Sequence, residues 1–253
     1  MAEIRSVDPA AGPSAGASAS PAGSPSGVPA GAQSEALRLP PTRAVIWRHG
    51  QTAHNREGRI QGASDIPLDE VGVAQAQHAA KQLAPLAPAA IWSSDLSRAR
   101  TTAQALADLV GLPVHLDERL RERQFGLWEG LAVTEIAERW PDQFHRWRLG
   151  EDLPEIGMET RASAAARISQ AVADAAASVP PGSYVVITTH GGGSVCGITA
   201  LMELDPTDWL GLRVMRNAHW AVLERGGSRP PAWRLVGYDL GDLEGKPGLT
   251  PWA

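Results

Sequence analysis

Tyr184-Val185-Val186-Ile187-Thr188-Thr189, running directly into His190-Gly191-Gly192-Gly193, is the stretch on which the reading of this chain turns. Its uncharged run of β-branched and aromatic residues has the length and composition of a strand buried on both faces. Pro180-Pro181-Gly182 ends whatever precedes it, and the glycines after it lead to a helix expected over about 193–203. The same grammar recurs on either side. Ala44-Val45-Ile46-Trp47 is a shorter apolar strand that ends on Arg48-His49-Gly50. Ala89-Ala90-Ile91-Trp92 and Val114-His115-Leu116 are two more strands, and strands near 219–224 and 232–237 finish the fold. Helices are expected from Gly72 to just before Pro85, from Ser97 to Val110, over 132–139 and 141–148, and along an Ala-rich run from about 159 to 178. Strands alternating with helices predict an α/β fold, a three-layer α/β/α arrangement whose mostly parallel sheet carries helices on both faces.

In such sheets ligands bind beyond the carboxyl ends of the strands. Arg48-His49-Gly50 lies at one such end and His190-Gly191 at another, while Arg98 sits in the first turn of the helix after the second strand. Three cationic or ionisable groups, far apart in sequence, are thus expected at one sheet edge. An anion pocket is the economical explanation.

Composition bounds what the anion is. The chain has 253 residues with a formal net charge of -5, from 23 basic and 28 acidic side chains. A partner that is a nucleic-acid polymer would call for a basic face, so that class is disfavoured. All the basic residues except Lys81 and Lys246 are arginine. Coding bias accounts for most of this, although arginine forks also suit phosphate better than lysine does. A lone cysteine, Cys196, excludes a disulfide framework and points to a reducing, cytoplasmic location. No run approaches the roughly 18 apolar residues of a membrane span, and Met1-Ala2-Glu3-Ile4-Arg5 opens no secretory signal. Residues 1–41 contain 29 Ala, Gly, Pro or Ser, too little to bury, and are expected to be a disordered lead-in. The domain is expected over 42–240, with a short tail over 241–253. Oligomeric state is not set by one sequence; a homodimer is one option.

Taken alone, Arg-His-Gly is a weak signal. Its surroundings make it specific: Arg48-His49-Gly50-Gln51-Thr52-Ala53-His54-Asn55, then Gln61-Gly62; Ser93-Ser94-Asp95-Leu96-Ser97-Arg98-Ala99; Leu120-Arg121-Glu122-Arg123-Gln124-Phe125-Gly126; and His190-Gly191 after its strand. In this order the blocks resemble, over most of 43–238, the histidine phosphatase superfamily that includes the cofactor-dependent phosphoglycerate mutases. The stretches Gln51-Thr52, Asn217-Ala218 and Trp233-Arg234-Leu235 are similar to its actinobacterial phosphatases, including those acting on glucosyl-3-phosphoglycerate.

The resemblance implies a phosphoryl-transfer site without a metal or other cofactor, acting on a small phosphorylated metabolite. A neutral imidazole is a competent nucleophile toward phosphorus, so His49 is the expected nucleophile, with a backbone carbonyl holding the proton on its other nitrogen. Arg48, Arg98 and His190 are expected to stabilise charge on the phosphoryl oxygens, and Glu122 to serve as general acid and then base. Asn55, Gln61, Gly62 and Gly191 are expected to bind the substrate, the glycines through backbone N–H groups. Plainer readings stand beside these: a strand-end histidine bonded to backbone, a solvated Glu122, a turn-forming Asn55. His54, His78, His115 and His145 are assigned to surface or packing, with no metal-ligand spacing among them. His219 is a candidate for the pocket rim, and Glu159 for a helix start near the positive dipole end. Trp128, Trp147, Trp209 and Trp220 are assigned to packing ahead of a substrate-stacking wall.

The mutase branch carries a long insertion after its acid block, including an arginine pair. Here only 36 residues separate Glu122 from Glu159, and Arg146-Trp147-Arg148 is the nearest counterpart. A hydrolase is therefore expected over a mutase-type isomerase. A non-catalytic binding module would not require the full set of ionisable residues.

Overall fold

The computed structural model describes residues 42–226 and 229–241. The expected lead-in over 1–41 lies outside the described residues, as does the expected C-terminal tail from 242 on. The strands are β1 (Arg43–Arg48), β2 (Ala90–Ser93), β3 (Val114–Leu116), β4 (Tyr184–Thr189), β5 (Trp220–Arg225) and β6 (Trp233–Leu240). They form one six-stranded sheet in the order β3-β2-β4-β1-β5-β6. The block β3-β2-β4-β1 is parallel, whereas β5 runs antiparallel to both β1 and β6. The sheet is thus mixed, a parallel core with an antiparallel edge pair.

Seven α-helices complete the described fold: α1 (Ala53–Arg56), α2 (Glu70–Leu83), α3 (Ser97–Val110), α4 (Val133–Arg139), α5 (Pro141–Arg148), α6 (Arg161–Ala177) and α7 (Gly191–Leu201). The alternation of β1 shows how the layers form, because successive side chains of a strand point to opposite faces. Ala44 and Ile46 join a core with Ile168, Val172 and Ala175 of α6 and Ile198 of α7. Val45 and Trp47 join the other core, with Leu83 of α2 and Leu106 of α3. Both faces are dry, which completes the three layers. The small buried residues of α6 (Ala164, Ala165, Ala171, Ala175, Ala176) recur at helical spacing and let it lie close to the sheet and to α7.

Several element boundaries shift slightly from expectation, among them those of α2, α7 and β6. Helix α2 begins at Glu70, two residues before Gly72, because Asp69 is its N-cap and accepts from the Gly72 N–H at 2.8 Å. Helix α7 begins at Gly191 and holds all three glycines in its first turn, where helix propensity alone would leave them outside. Strand β6 extends to Leu240, past the expected end near 237. The short helix α1 was not expected; Thr52 and Asn55 close a capping box around it.

Candidate active site

β1 and β4 are neighbours at the centre of the sheet, and their carboxyl ends deliver His49 and His190 side by side. The His49 N–H donates to the Thr189 carbonyl at 3.0 Å, and the two imidazole rings lie 5.1 Å apart. Beyond this edge opens a cleft of about 140 Å³. Of the expected site residues, Arg48, His49, Asn55, Gln61 and Gly62 line it from the β1 side. Arg98, Glu122 and Gly191 close it from the others.

His49 is almost fully buried. Its Nδ1 lies 2.7 Å from the Gly50 carbonyl, which only accepts, so Nδ1 carries the proton and Nε2 keeps its lone pair. Burial, then the charges of Arg98 and Arg48, hold its pKa well below the ordinary value of 6.5. The Gly50 carbonyl pulls the other way without prevailing. The imidazole is therefore neutral at physiological pH. Gly50 itself is fixed by its N–H, which donates to Thr102 Oγ1 at 3.1 Å, and by α2; a Cβ here would stand 2.3 Å from the Gly72 carbonyl oxygen.

Arg98 is fully buried, a position that hydrogen-bond acceptors around the guanidinium make tolerable. It donates to the Gly62 carbonyl at 2.8 Å, the Ser64 carbonyl at 2.7 Å and His190 Nδ1 at 3.2 Å. These bonds use three of its five N–H groups. Arg48 donates to the Met215 carbonyl, while its Nε is buried and meets no acceptor among the described residues. A buried guanidinium N–H left without a partner at a cleft wall suits an anionic ligand.

His190, expected as a phosphoryl donor, has its ring between Arg98 and Ser94 and is not among the residues lining the cleft. Arginine only donates, so His190 Nδ1 is unprotonated and the proton sits on Nε2, 2.9 Å from Ser94 Oγ. Burial and Arg98 hold its pKa well below 6.5 as well, so the ring is neutral. It stands beside the cleft and turns Arg98 toward it.

Glu122 is held at the first turn of α7. Its carboxylate accepts from the N–H groups of Arg123 (2.8 Å), Gly192 (2.9 Å) and Gly193 (2.6 Å). The glycines are what allow this approach, since a Cβ at Gly192 would stand 3.1 Å from Glu122 Oε1 and one at Gly193 2.8 Å from Ile168. The loop carrying Glu122 is tied down by Arg167 of α6, which donates to the carbonyls of Arg119, Arg121 and Glu122 at 2.7–3.1 Å. Arg167 is in turn paired with Glu159 at 2.8 Å, and burial does not stop this pair from lowering the Glu159 pKa. Glu159 thus braces the acid loop and the start of α6, and it does not reach the cleft.

Two amides present their donors. Asn55 Oδ1 accepts from the Thr52 N–H at 3.2 Å and from Asn217 Nδ2 at 3.1 Å, leaving its own NH2 for the cleft. Gln61 Oε1 accepts from Thr52 Oγ1 at 2.9 Å, with the same result. Gly62 has φ +54°, and a Cβ there would overlap Glu129 Oε1 at 2.1 Å. Glu129 accepts from the N–H groups of Ala63, Ser64 and Phe125, shaping the loop whose carbonyls hold Arg98. Glu129, Arg167 and Asn217 escaped assignment as site residues because each acts on backbone brought near only by the fold. Glu129 lies just past one motif block and Asn217 within another, whereas Arg167 lies in none.

The remaining candidates separate cleanly. Trp147 lines the cleft, packed edge-to-face on the buried Trp128 with ring centres 5.7 Å apart. Trp209 and Trp220 do not line it. His219 stays off it too, its Nδ1 3.1 Å from the Asp239 carbonyl. Cys196 is buried, and burial pushes its thiol up to about 11. Among the described residues no cluster of His, Cys, Asp or Glu has the makings of a metal site, and no helix is long and apolar enough to cross a membrane.

Comparison with known proteins gives the family. Glucosyl-3-phosphoglycerate phosphatase from Mycobacterium tuberculosis strain H37Rv is 39% identical over 188 residues, 72% of this chain and 84% of that protein. The probable phosphoglycerate mutase GpmB of Yersinia pestis (strain Pestoides F) is 34% identical over 160 residues, 62% of this chain and 73% of that one. The mycobacterial glucosyl-3-phosphoglycerate phosphatase solved with inorganic phosphate superposes with a TM-score of 0.68 at 38% identity, covering 78% of this chain and 96% of that structure. A family model matches residues 44–238, nearly all of the described fold, and by it the chain belongs to the histidine phosphatase superfamily, branch 1.

Proposed function

We propose that the chain is a phosphomonoester hydrolase that works through a phosphohistidine on His49. One observation carries the reading: His49 is held as a neutral ring with Nδ1 on the Gly50 carbonyl and Nε2 unprotonated, in a cleft walled by Arg48 and Arg98. The Nε2 lone pair attacks phosphorus, the bond from phosphorus to the ester oxygen breaks, and Glu122 gives that oxygen its proton. The two arginines and the amides of Asn55 and Gln61 bind the equatorial oxygens, where charge concentrates in flight. Water then attacks the phosphohistidine, Glu122 takes its proton, the N–P bond breaks, and inorganic phosphate leaves. No step draws on a metal. His190 serves as an orienting group, acting through Arg98.

The substrate is a small phosphorylated metabolite, a sugar phosphate or phosphoglycerate derivative of the kind named by the mycobacterial relatives, glucosyl-3-phosphoglycerate. A mutase would need cations for a second phosphate. Arg146, the nearest counterpart of the mutase arginine pair, is spent on Glu151 (2.8 Å) and Glu155 (2.6 Å), and neither it nor Arg148 lines the cleft. The test is phosphate release from a panel of phosphorylated metabolites by the parent and by His49→Ala. Release by the parent alone, without bisphosphate priming, is expected. Isomerisation of 3-phosphoglycerate that depends on a bisphosphate primer would replace this reading with the mutase.

A further inference from the structure

The Gly50 carbonyl and the Asn55 amide, on which the nucleophile and a phosphate donor depend, share one neighbour. Asn217 Nδ2 lies 3.2 Å from the Gly50 carbonyl, 3.2 Å from the His49 carbonyl and 3.1 Å from Asn55 Oδ1. All three partners accept, so the orientation of the Asn217 amide follows from them: nitrogen inward, oxygen away. The loop that carries it has little freedom. Ala218 takes a left-handed φ of 58°, its N–H donates to the His49 carbonyl at 3.1 Å, and its carbonyl accepts from Trp47 Nε1 at 2.9 Å.

We propose that Asn217 is a positioning residue, fixing through one amide both the Gly50 carbonyl that sets the His49 tautomer and the outward turn of the Asn55 NH2. The second contact matters as much as the first. Without Asn217, Asn55 Oδ1 keeps only its bonds from Thr52, and the side chain is freer to turn that oxygen toward a phosphate, which it repels. Without a donor on Gly50, the carbonyl is freer to leave Nδ1, and the proton then exchanges onto the nitrogen that must attack. Asn217 does not touch the reacting atoms itself; it lines no part of the cleft.

The inference rests on His49 being the nucleophile, and its test reads both activity and the ring directly. In parent, Asn217→Ala and Asn217→Ser, the imidazole nitrogens of His49 are observed by 15N NMR alongside kcat and KM for p-nitrophenyl phosphate. The parent is expected to show one tautomer, protonated at Nδ1. Asn217→Ala is expected to show averaging between tautomers and a kcat lower by about 10- to 100-fold, with a smaller change in KM. Asn217→Ser, which restores a donor, is expected to recover part of both. Unchanged tautomer and kcat in a folded Asn217→Ala protein would overturn the proposal. If alanine prevents folding, the serine variant decides by the same readouts. A parent without phosphatase activity would instead sink the proposed function, while the tautomer comparison would still judge Asn217.

Discussion

The floor of the cleft and its rim are built on different principles. On the floor, Arg98, His49, His190 and Glu122 are each fixed by two or more hydrogen bonds or by burial against the sheet. Most of the polar atoms there have a protein partner, and Arg48, which lines the cleft, keeps a buried Nε with no acceptor among the described residues. At the rim, Trp147 stands on a small satellite core of Trp128, Ile136 and Leu153, and the exposed Val214 lines the cleft with Ile60 and Phe125. The contrast separates two tasks. Transition-state charge needs donors that do not have to reorganise, so the floor is rigid and polar. The leaving group needs surface, and the rim offers mostly apolar side chains.

Substitutions sort by which of these they touch. Arg98→Met is expected to strike hardest, lowering kcat/KM by about 10²–10³-fold. It also strands the Gly62 and Ser64 carbonyls, so thermal unfolding should show a loss of ~2 kcal/mol or more. A near-parental kcat/KM would show that the floor works without its central cation. Arg167→Met removes a brace one layer out: kcat should fall about 10- to 100-fold while KM holds, as steady-state kinetics would show. At the rim, Trp147→Ala is expected to raise KM for a sugar-bearing ester by about 10-fold, with p-nitrophenyl phosphate turnover nearly unchanged. An equal loss on both substrates would erase the distinction between floor and rim.

The effect of acid falls on stability and not on turnover. Both His49 and His190 have folded-state pKa values depressed by burial and Arg98, so the unfolded chain binds their protons first. Their contribution to stability is complete above about pH 6.5 and is lost as pH falls below it, by up to ~1.4 kcal/mol per unit for each ring. Tm should therefore decline between about pH 6.5 and 5, and less steeply in His49→Asn. Parallel profiles would mean that the buried rings are not what the fold protects from protons.

The floor was legible in the sequence and the rim was not. Arg48, His49 and His190 follow apolar strands, and the rule that ligands gather at strand carboxyl ends brings them together before any coordinates exist. The roles of Gly192 and Gly193 were hidden by their poor helix propensity; they form the first turn of α7 because Glu122 needs their N–H groups close. Asp69 as N-cap explains the early start of α2 by the same kind of local bond. Strands β5 and β6 read as strands, but their antiparallel pairing depends on connections that periodicity does not encode. Asn217, Glu129 and Arg167 act across gaps of dozens of residues or more on backbone atoms, which leave no side-chain pattern to read. Trp147 differs from Trp209 and Trp220 only through where α5 sets it down.

The central claim is that His49 carries the phosphoryl group, and rapid acid-free quenching of a single turnover with a 32P-labelled ester tests it most directly. The account predicts an acid-labile, base-stable label that maps to His49, approaches one phosphoryl group per chain, and is absent from His49→Ala. Label on a serine or aspartate, or full turnover by His49→Ala, would contradict it.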